Sequence, residues 1–242
     1  MSADASDARR ATIRQSLSVG VATGAYGISF GALAVAAGLT VLQAQALSLL
    51  LFSGGSQFAV VAILGAGGSG GTAVATSAML GVRNGLYALQ TSRISGAKGV
   101  RRLAAAQVTI DESTAVALAQ PGPELSRLGF WTTGLAVFTF WNLATLAGAL
   151  LGGAIGDPRD YGLDAAAAAA FCGLLWPRLR SADARVTAAV AITLALLTIP
   201  HLAPGLPVLV AALAAVAVGL ARGTTPLAPP PAGHLEGEDP TP

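Results

Sequence analysis

The chain has 242 residues, of which 53% are apolar and only 11% charged, and its mean hydropathy is +0.65. This composition excludes an ordinary soluble globular domain, and a net charge of +2 gives no basic footprint for nucleic acid. Charge is absent from three long stretches, residues 15–82, 128–156 and 186–221. Since a bilayer core about 30 Å thick needs roughly 20 apolar residues per helix, we predict an all-α integral membrane bundle.

The predicted elements begin with a basic N-terminus over residues 1–14. The apolar run that follows is longer than the core of a signal peptide, so we predict a retained span. A transmembrane domain over residues 15–222 then contains the candidate spans 15–38, 42–65, 71–92, 103–120, 128–154, 163–177, 185–200 and 204–221. Residues 223–242 are rich in Pro, Gly and acidic side chains and include His234, and they predict a disordered tail.

Lys and Arg in short loops indicate the cytoplasmic side. The basic residues at 9–14, 178–185 and 222 agree with a cytoplasmic N-terminus, but those at 93–102 follow three candidate spans and would lie outside. The conflict disappears if one early span is broken or re-entrant and if residues 101–120 lie along the interface or are half inserted. The sequence thus predicts six to eight membrane segments, with about six full crossings and both termini inside; eight crossings that violate the rule once are the alternative.

Residues 52–58, FSGGSQF, interrupt an apolar run. Gly54 and Gly55 release a helix cheaply, and Ser53 or Ser56 could cap the restarted half, leaving its amides free for a ligand. Broken helices in transporters hold anionic groups at such N-termini and cations at the unwound carbonyls. The alternative is that these small residues only allow close helix packing. The amide of Gln57, which needs several partners if buried, favours a binding site.

Arg83 is the only basic residue in the interior of a candidate span, since Arg185 is the first residue of its span. An Arg at mid-bilayer costs about 2.5–3.5 kcal/mol on insertion scales, so Arg83 and Asn84 predict a site with a partner or a water-filled vestibule. Tyr87, four residues later, shares the helix face of Arg83. The alternative is that Arg83 lies near a helix end and reaches the headgroups.

Further polar residues occur in the later segments. Asp111 and Glu112 could pair with Arg83 or carry a proton, or they could form a solvated face. Asn142 is either a helix-to-helix hydrogen bond or a ligand contact, and Asp164 fits a helix cap.

Other functional classes have weak support. The GAGGSG stretch at residues 65–70 has no preceding strand and no acidic residue for a ribose, and no phosphate loop is present, so we predict no nucleotide, cofactor or metal site. Cys172 predicts simple packing. Ser56 with His201 superficially fits an intramembrane serine protease, but a histidine between two prolines is typical of a loop. We therefore expect a protein that is not an enzyme.

Three segments in order, GISFGALAVAAGLTVLQAQALSLLLFSGGSQFAVVAIL, RNGLY and TIDESTAVAL, resemble the AzlC family of branched-chain amino acid permeases. The resemblance implies export of valine, leucine and isoleucine across the bacterial plasma membrane, beside a small AzlD-type membrane subunit. Many members carry Asn-x-Arg-His where this chain has Gly81 to Asn84, whereas Arg83, Tyr87, Gln57, Asp111 and Glu112 match.

These observations predict a secondary transporter for branched-chain amino acids. Its substrate would contact Ser53, Gly54, Gly55, Ser56, Gln57, Arg83, Asn84, Tyr87 and Asn142, with gating or coupling by Arg83, Asp111 and Glu112. A transporter or channel for another small zwitterion or ion is the alternative. The hypothesis predicts that Gln57→Ala and Arg83→Ala abolish export while the protein still accumulates.

Overall fold

The computed structural model describes residues 3–152 and 179–222, together with residues 162, 165, 172, 175 and 176 between them. These described residues form helices without strands, so the predicted all-α fold is confirmed. The helices are α1 Ala3–Ala36, α2 Val41–Leu50, α3 Gly54–Gly65, α4 Gly70–Ser95, α5 Arg101–Gln107, α6 Asp111–Ala119, α7 Pro123–Gly152, α8 Ala182–Thr198 and α9 Leu206–Arg222. The predicted span 163–177, the capping role of Asp164 and the predicted tail 223–242 with His234 lie outside the described residues.

Two helices among the described residues, Ala5–Ala36 within α1 and Pro123–Gly152, are long and apolar enough to cross a membrane. The first begins well before residue 15, so the basic N-terminal segment is largely part of α1 rather than a separate region. Helices α2, α3 and α9 are apolar but shorter.

Helices α1 and α7 form the centre of the fold and pack closely along a row of glycines. A Cβ on Gly24 would lie 2.5 Å from the Cβ of Phe140, and one on Gly20 would lie 2.6 Å from the Cβ of Ala136. Further along, Gly148 lies against the carbonyl of Ile28. Because later residues of α1 meet later residues of α7, the two helices are parallel. We call the end where both helices terminate the upper end and the other the lower end.

Helices α2 and α3 form a hairpin, the upper hairpin (residues 41–65). Thr40 caps α2 immediately after the upper end of α1, and Gly65 at the end of α3 lies against Ala37. The break at residues 51–53 lies near the middle of α7, where Gly54 contacts the ring of Trp141. The segment therefore enters and leaves at the same end of the bundle.

Helix α4 runs from the upper to the lower end. Near its start, the Thr76 hydroxyl donates to the carbonyl of Gly205, 3.4 Å away, in the turn between α8 and α9. At its other end, the carbonyl of Ser95 accepts a hydrogen bond from the indole of Trp131, 3.1 Å away, in the first third of α7. This direction is opposite to that of α1 and α7.

Helices α5 and α6 form a second hairpin, the lower hairpin (residues 101–119), where the sequence predicted one continuous segment. It rises from the lower end to a break at residues 108–110, where Val108 packs against Gly134. Helix α6 then descends until Val116 and Gln120 contact Gly129 near the start of α7. Residues 108–110, 113 and 114 are buried, so the segment does not lie along a surface.

Helices α8 and α9 form an antiparallel pair whose turn lies at the upper end, where Pro204 contacts Gly68 and Gly205 contacts Thr72. His201 is exposed in this turn. Consequently the start of α8 and the end of α9, which carries Arg222, lie at the lower end.

Candidate functional site

The upper break is held together by the side chain of Gln57. The residue is fully buried, and its Nε2 donates to the carbonyls of Leu51 at 2.8 Å and Leu47 at 3.3 Å, at the C-terminal end of α2. Its Oε1 accepts from the indole Nε1 of Trp141 at 2.9 Å. The Gln57 amide, which the sequence suggested as a ligand contact, therefore bonds two carbonyls at the end of α2 that have no helical partner and links the break to α7.

The serines of the upper break also bond within the protein. Ser53 makes no capping bond to α3, so the predicted serine cap of the restarted helix is wrong. Instead its hydroxyl donates to that of Ser56 at 3.2 Å, and Ser56 donates to the carbonyl of Ser77 on α4 at 2.9 Å. Ser56 is fully buried and has no hydrogen bond to the exposed His201, both being described residues, so the structure does not form the dyad of a protease.

Polar pairs join the upper hairpin to α7. Asn142 accepts from Nε2 of Gln45 at 3.1 Å and donates to the carbonyl of Phe138 at 2.8 Å. One turn along both helices, Ser48 donates to Thr145 at 3.2 Å. Asn142 therefore makes the helix-to-helix hydrogen bond of the two roles predicted for it. Sequence reasoning missed Gln45 and Ser48, although their spacing of three residues indicates one helix face.

The lower break places an ion pair between α4 and α6. An Nη atom of Arg83 lies 2.9 Å from Oδ2 of Asp111, and the side chains are 33% and 11% exposed. The pairing that the sequence left as an alternative is thus present. Glu112 is half-buried beside this pair and close to Thr23 of α1. The two acids do not form the solvated face that was the other alternative.

The lower break is stabilised from within its own hairpin. Ser113, fully buried, accepts from the backbone amide of Ile110 at 3.1 Å and donates to the carbonyl of Val108 at 2.7 Å. Thr109 donates to the carbonyl of Ala105 at 2.7 Å. A serine at the third helical position, Ser113 here and Ser56 in the upper break, is common to both restarted helices.

Asn84 and Tyr87 extend the site along α4. Both are half-buried, and Asn84 lies seven residues after Ser77 and three after Gly81, on the face of α4 that contacts Ser56. Tyr87 follows Arg83 by one turn. The structure therefore pairs Arg83 with Asp111 and places Glu112 beside them, with Asn84 next to Arg83 on α4, while Gln57 and Asn142 are committed to structural bonds.

Comparison with known proteins identifies the family of the chain. The model of the AzlC protein family matches residues 18–155, from within α1 to just past α7. The matched region contains both hairpins and the ion pair. No curated protein and no solved structure matches the chain. Because the family model covers more than half of the chain, the protein belongs to the AzlC family and is a membrane protein of transporter-like function.

Proposed function

We propose that the chain is a secondary transporter that exports branched-chain amino acids across the bacterial plasma membrane, together with a small AzlD-type membrane subunit. The observation that carries the proposal is the ion pair between Arg83 and Asp111 at the lower break. A buried charge pair is costly in a membrane and is typically found on the pathway of a substrate or ion. Here it lies in a bundle whose charges are otherwise concentrated in the loops and ends.

The arrangement of the helices supports a topology with both hairpins re-entrant. The ten and twelve residues of α2 and α3 rise about 15 and 18 Å, roughly half of a bilayer core. If α1, α4 and α7 cross the membrane, the basic residues of 93–102, those at the start of α1 and Arg222 all lie at the lower end. The positive-inside rule then holds with a cytoplasmic N-terminus, as in the six-crossing prediction.

The two hairpins approach each other from opposite ends. Nε2 of Gln107, just before the lower break, donates to the carbonyl of Leu49, near the upper break, at 2.7 Å. Irregular backbone at membrane depth is tolerated where protein or a water-filled cavity surrounds it, and broken helices of transporters form their substrate sites there. A site between two such breaks would be reached alternately from either side, with Arg83 and one acid of the 111–112 pair as its gate.

The proposal is tested by efflux of preloaded valine, leucine and isoleucine from cells that express the chain with its small partner. Arg83→Ala and Asp111→Ala should abolish efflux because each leaves a charge without its partner at the site. Arg93→Ala is the matched control, since Arg93 is exposed on the same helix, and it should transport normally. Wild-type cells that retain all three amino acids at the rate of empty cells would refute the proposal.

A further inference from the structure

Buried polar atoms without a hydrogen-bond partner concentrate around the lower break. In the described part of the chain such atoms are Nε of Arg83 and Oδ1 of Asn84 on α4, and Oδ1 of Asp111 and the hydroxyl of Thr114 on α6. Three others, on Ser16, Gln45 and Thr133, belong to α1, α2 and α7. Thr114 is only 4% exposed and lies one turn after Asp111, on the same helix face. Oδ2 of Asp111 is engaged by the ion pair, whereas Nε of Arg83 and Oδ1 of Asp111 remain without a partner.

Such a concentration is unusual in a folded protein. Buried polar groups are nearly always bonded, because a buried group without a partner costs about 1–3 kcal/mol. The upper break shows the ordinary situation, since the Gln57 amide bonds two carbonyls and an indole. Unsatisfied atoms on two facing helices therefore indicate a ligand that supplies the missing partners.

The unsatisfied atoms match the two charged groups of an α-amino acid. An ammonium offers three hydrogen-bond donors, and Asp111, Asn84 and Thr114 each present an acceptor oxygen. A carboxylate offers only acceptors, and the free Nε of Arg83 is a donor on a guanidinium that binds carboxylates in two-point geometry. A simple anion or a simple cation would satisfy only one half of this set.

A cleft leads from the lower end of the bundle towards the lower break. A cavity of about 320 Å³ lies between α4 and α5, and it is lined mainly by small side chains, among them Ala88, Ala105, Ala106 and Thr109. Ala88 lies one turn below Asn84 on α4, and Thr109 lies two residues before Asp111. Arg102 lines the cavity near the lower end. The cleft thus runs from the basic end of the bundle to the lower break.

We propose that the Arg83–Asp111 pair is the recognition site for the main-chain ammonium and carboxylate of an α-amino acid, which reaches it through the α4–α5 cleft and takes the place of the ion pair. The proposal rests on the transport function proposed above and locates its substrate at the lower break rather than at Gly54–Gln57. It follows that both charged groups of the substrate are required for binding, whatever its aliphatic side chain.

The first test is competition on the purified full-length wild-type chain with radiolabelled L-leucine as the probe. Competitors are 4-methyl-2-oxopentanoate, which lacks the ammonium, and isopentylamine, which lacks the carboxylate. We expect each to need at least about a hundredfold higher concentration than unlabelled leucine, because each loses charge-assisted hydrogen bonds. Displacement by either analogue at the concentration of leucine itself would overturn the proposal.

A second test uses an isosteric pair of variants. Thr114→Val should weaken leucine binding about tenfold because it removes one acceptor for the ammonium. Thr76→Val is the control, since Thr76 is also fully buried but lies near the upper end of α4, where its hydroxyl donates to the carbonyl of Gly205. Equal leucine affinity in the two variants would overturn the assignment to α6.

The two proposals fail in different ways. If the wild-type chain, with and without its small partner, binds and exports no aliphatic amino acid, the transport function itself is refuted. If leucine is exported but the analogues compete equally, transport stands and the headgroup site is refuted.

Discussion

Replacement of Gln57 by methionine should destabilise the fold, because it removes three hydrogen bonds while roughly keeping the volume of the side chain. The carbonyls of Leu47 and Leu51 and the indole of Trp141 would lose their partner in a fully buried position. Measured side-chain hydrogen bonds in membrane proteins average about 0.6 kcal/mol, whereas a buried group left unpaired in soluble proteins costs about 1–3 kcal/mol. Three groups together therefore cost about 2–9 kcal/mol of unfolding free energy.

Gln45→Met is the matched control for this measurement. Gln45 is half-buried on α2, and it makes one side-chain hydrogen bond, to Asn142, so its loss should cost about 1 kcal/mol or less. Unfolding by SDS titration in mixed micelles, followed by tryptophan fluorescence, would give both values.

The comparison also separates structure from ligand binding at Gln57. A Gln57→Met variant that keeps wild-type stability but does not transport would refute the structural role of Gln57. It would instead support the hypothesis that the Gln57 side chain contacts the substrate. If Gln57→Met loses several times as much stability as Gln45→Met, reduced transport by Gln57 variants reflects the loss of the Gln57 hydrogen bonds that join α2, α3 and α7.

Two further predictions follow from the packing and from the topology. Gly31→Ala should reduce the unfolding free energy by about 2 kcal/mol or more, because the new Cβ would clash with a backbone carbonyl of α7; Gly85→Ala, where no described atom lies near the Cβ position, should not reduce it. The topology can be tested with single cysteines in a chain made cysteine-free by Cys172→Ser. An impermeant maleimide added to intact cells should label Gly67→Cys but not Lys98→Cys. The reverse pattern would refute the re-entrant upper hairpin.

The features that the sequence predicted correctly are those that would be energetically costly in a bilayer without a structural or functional reason. Charge inside an apolar run is costly, so Arg83 and the acids at 111 and 112 were identifiable as a possible pair without any structure. A break at Gly54 and Gly55 was predicted because paired glycines rarely occur in a helix interior without reason. The interruption lies slightly earlier, at residues 51–53, and both glycines belong to the first turn of α3.

The lower break was missed because no glycine or proline marks it. Three β-branched residues, Val108 to Ile110, precede Asp-Glu-Ser, which is typical of a helix start, but a short apolar run of this kind also fits a continuous span. The role of Gln57 was missed for a different reason. Its partner Trp141 lies 84 residues further along the chain, and only the tertiary fold brings the two together.

The two breaks differ in what their hydrogen bonds connect, and this difference bears on which of them moves. The upper break is tied to its neighbours, through Gln57 to α7 and through Ser56 to α4. The bonds of Thr109 and Ser113 at the lower break instead remain inside the lower hairpin, and the bond from Gln107 of this hairpin to Leu49 is exposed. A hairpin bonded within itself moves as a unit at lower cost than one bonded to the frame, because fewer buried hydrogen bonds must break. We therefore expect the conformational step of transport at the contact between α4 and α6, where the ion pair is the bond that a substrate exchanges.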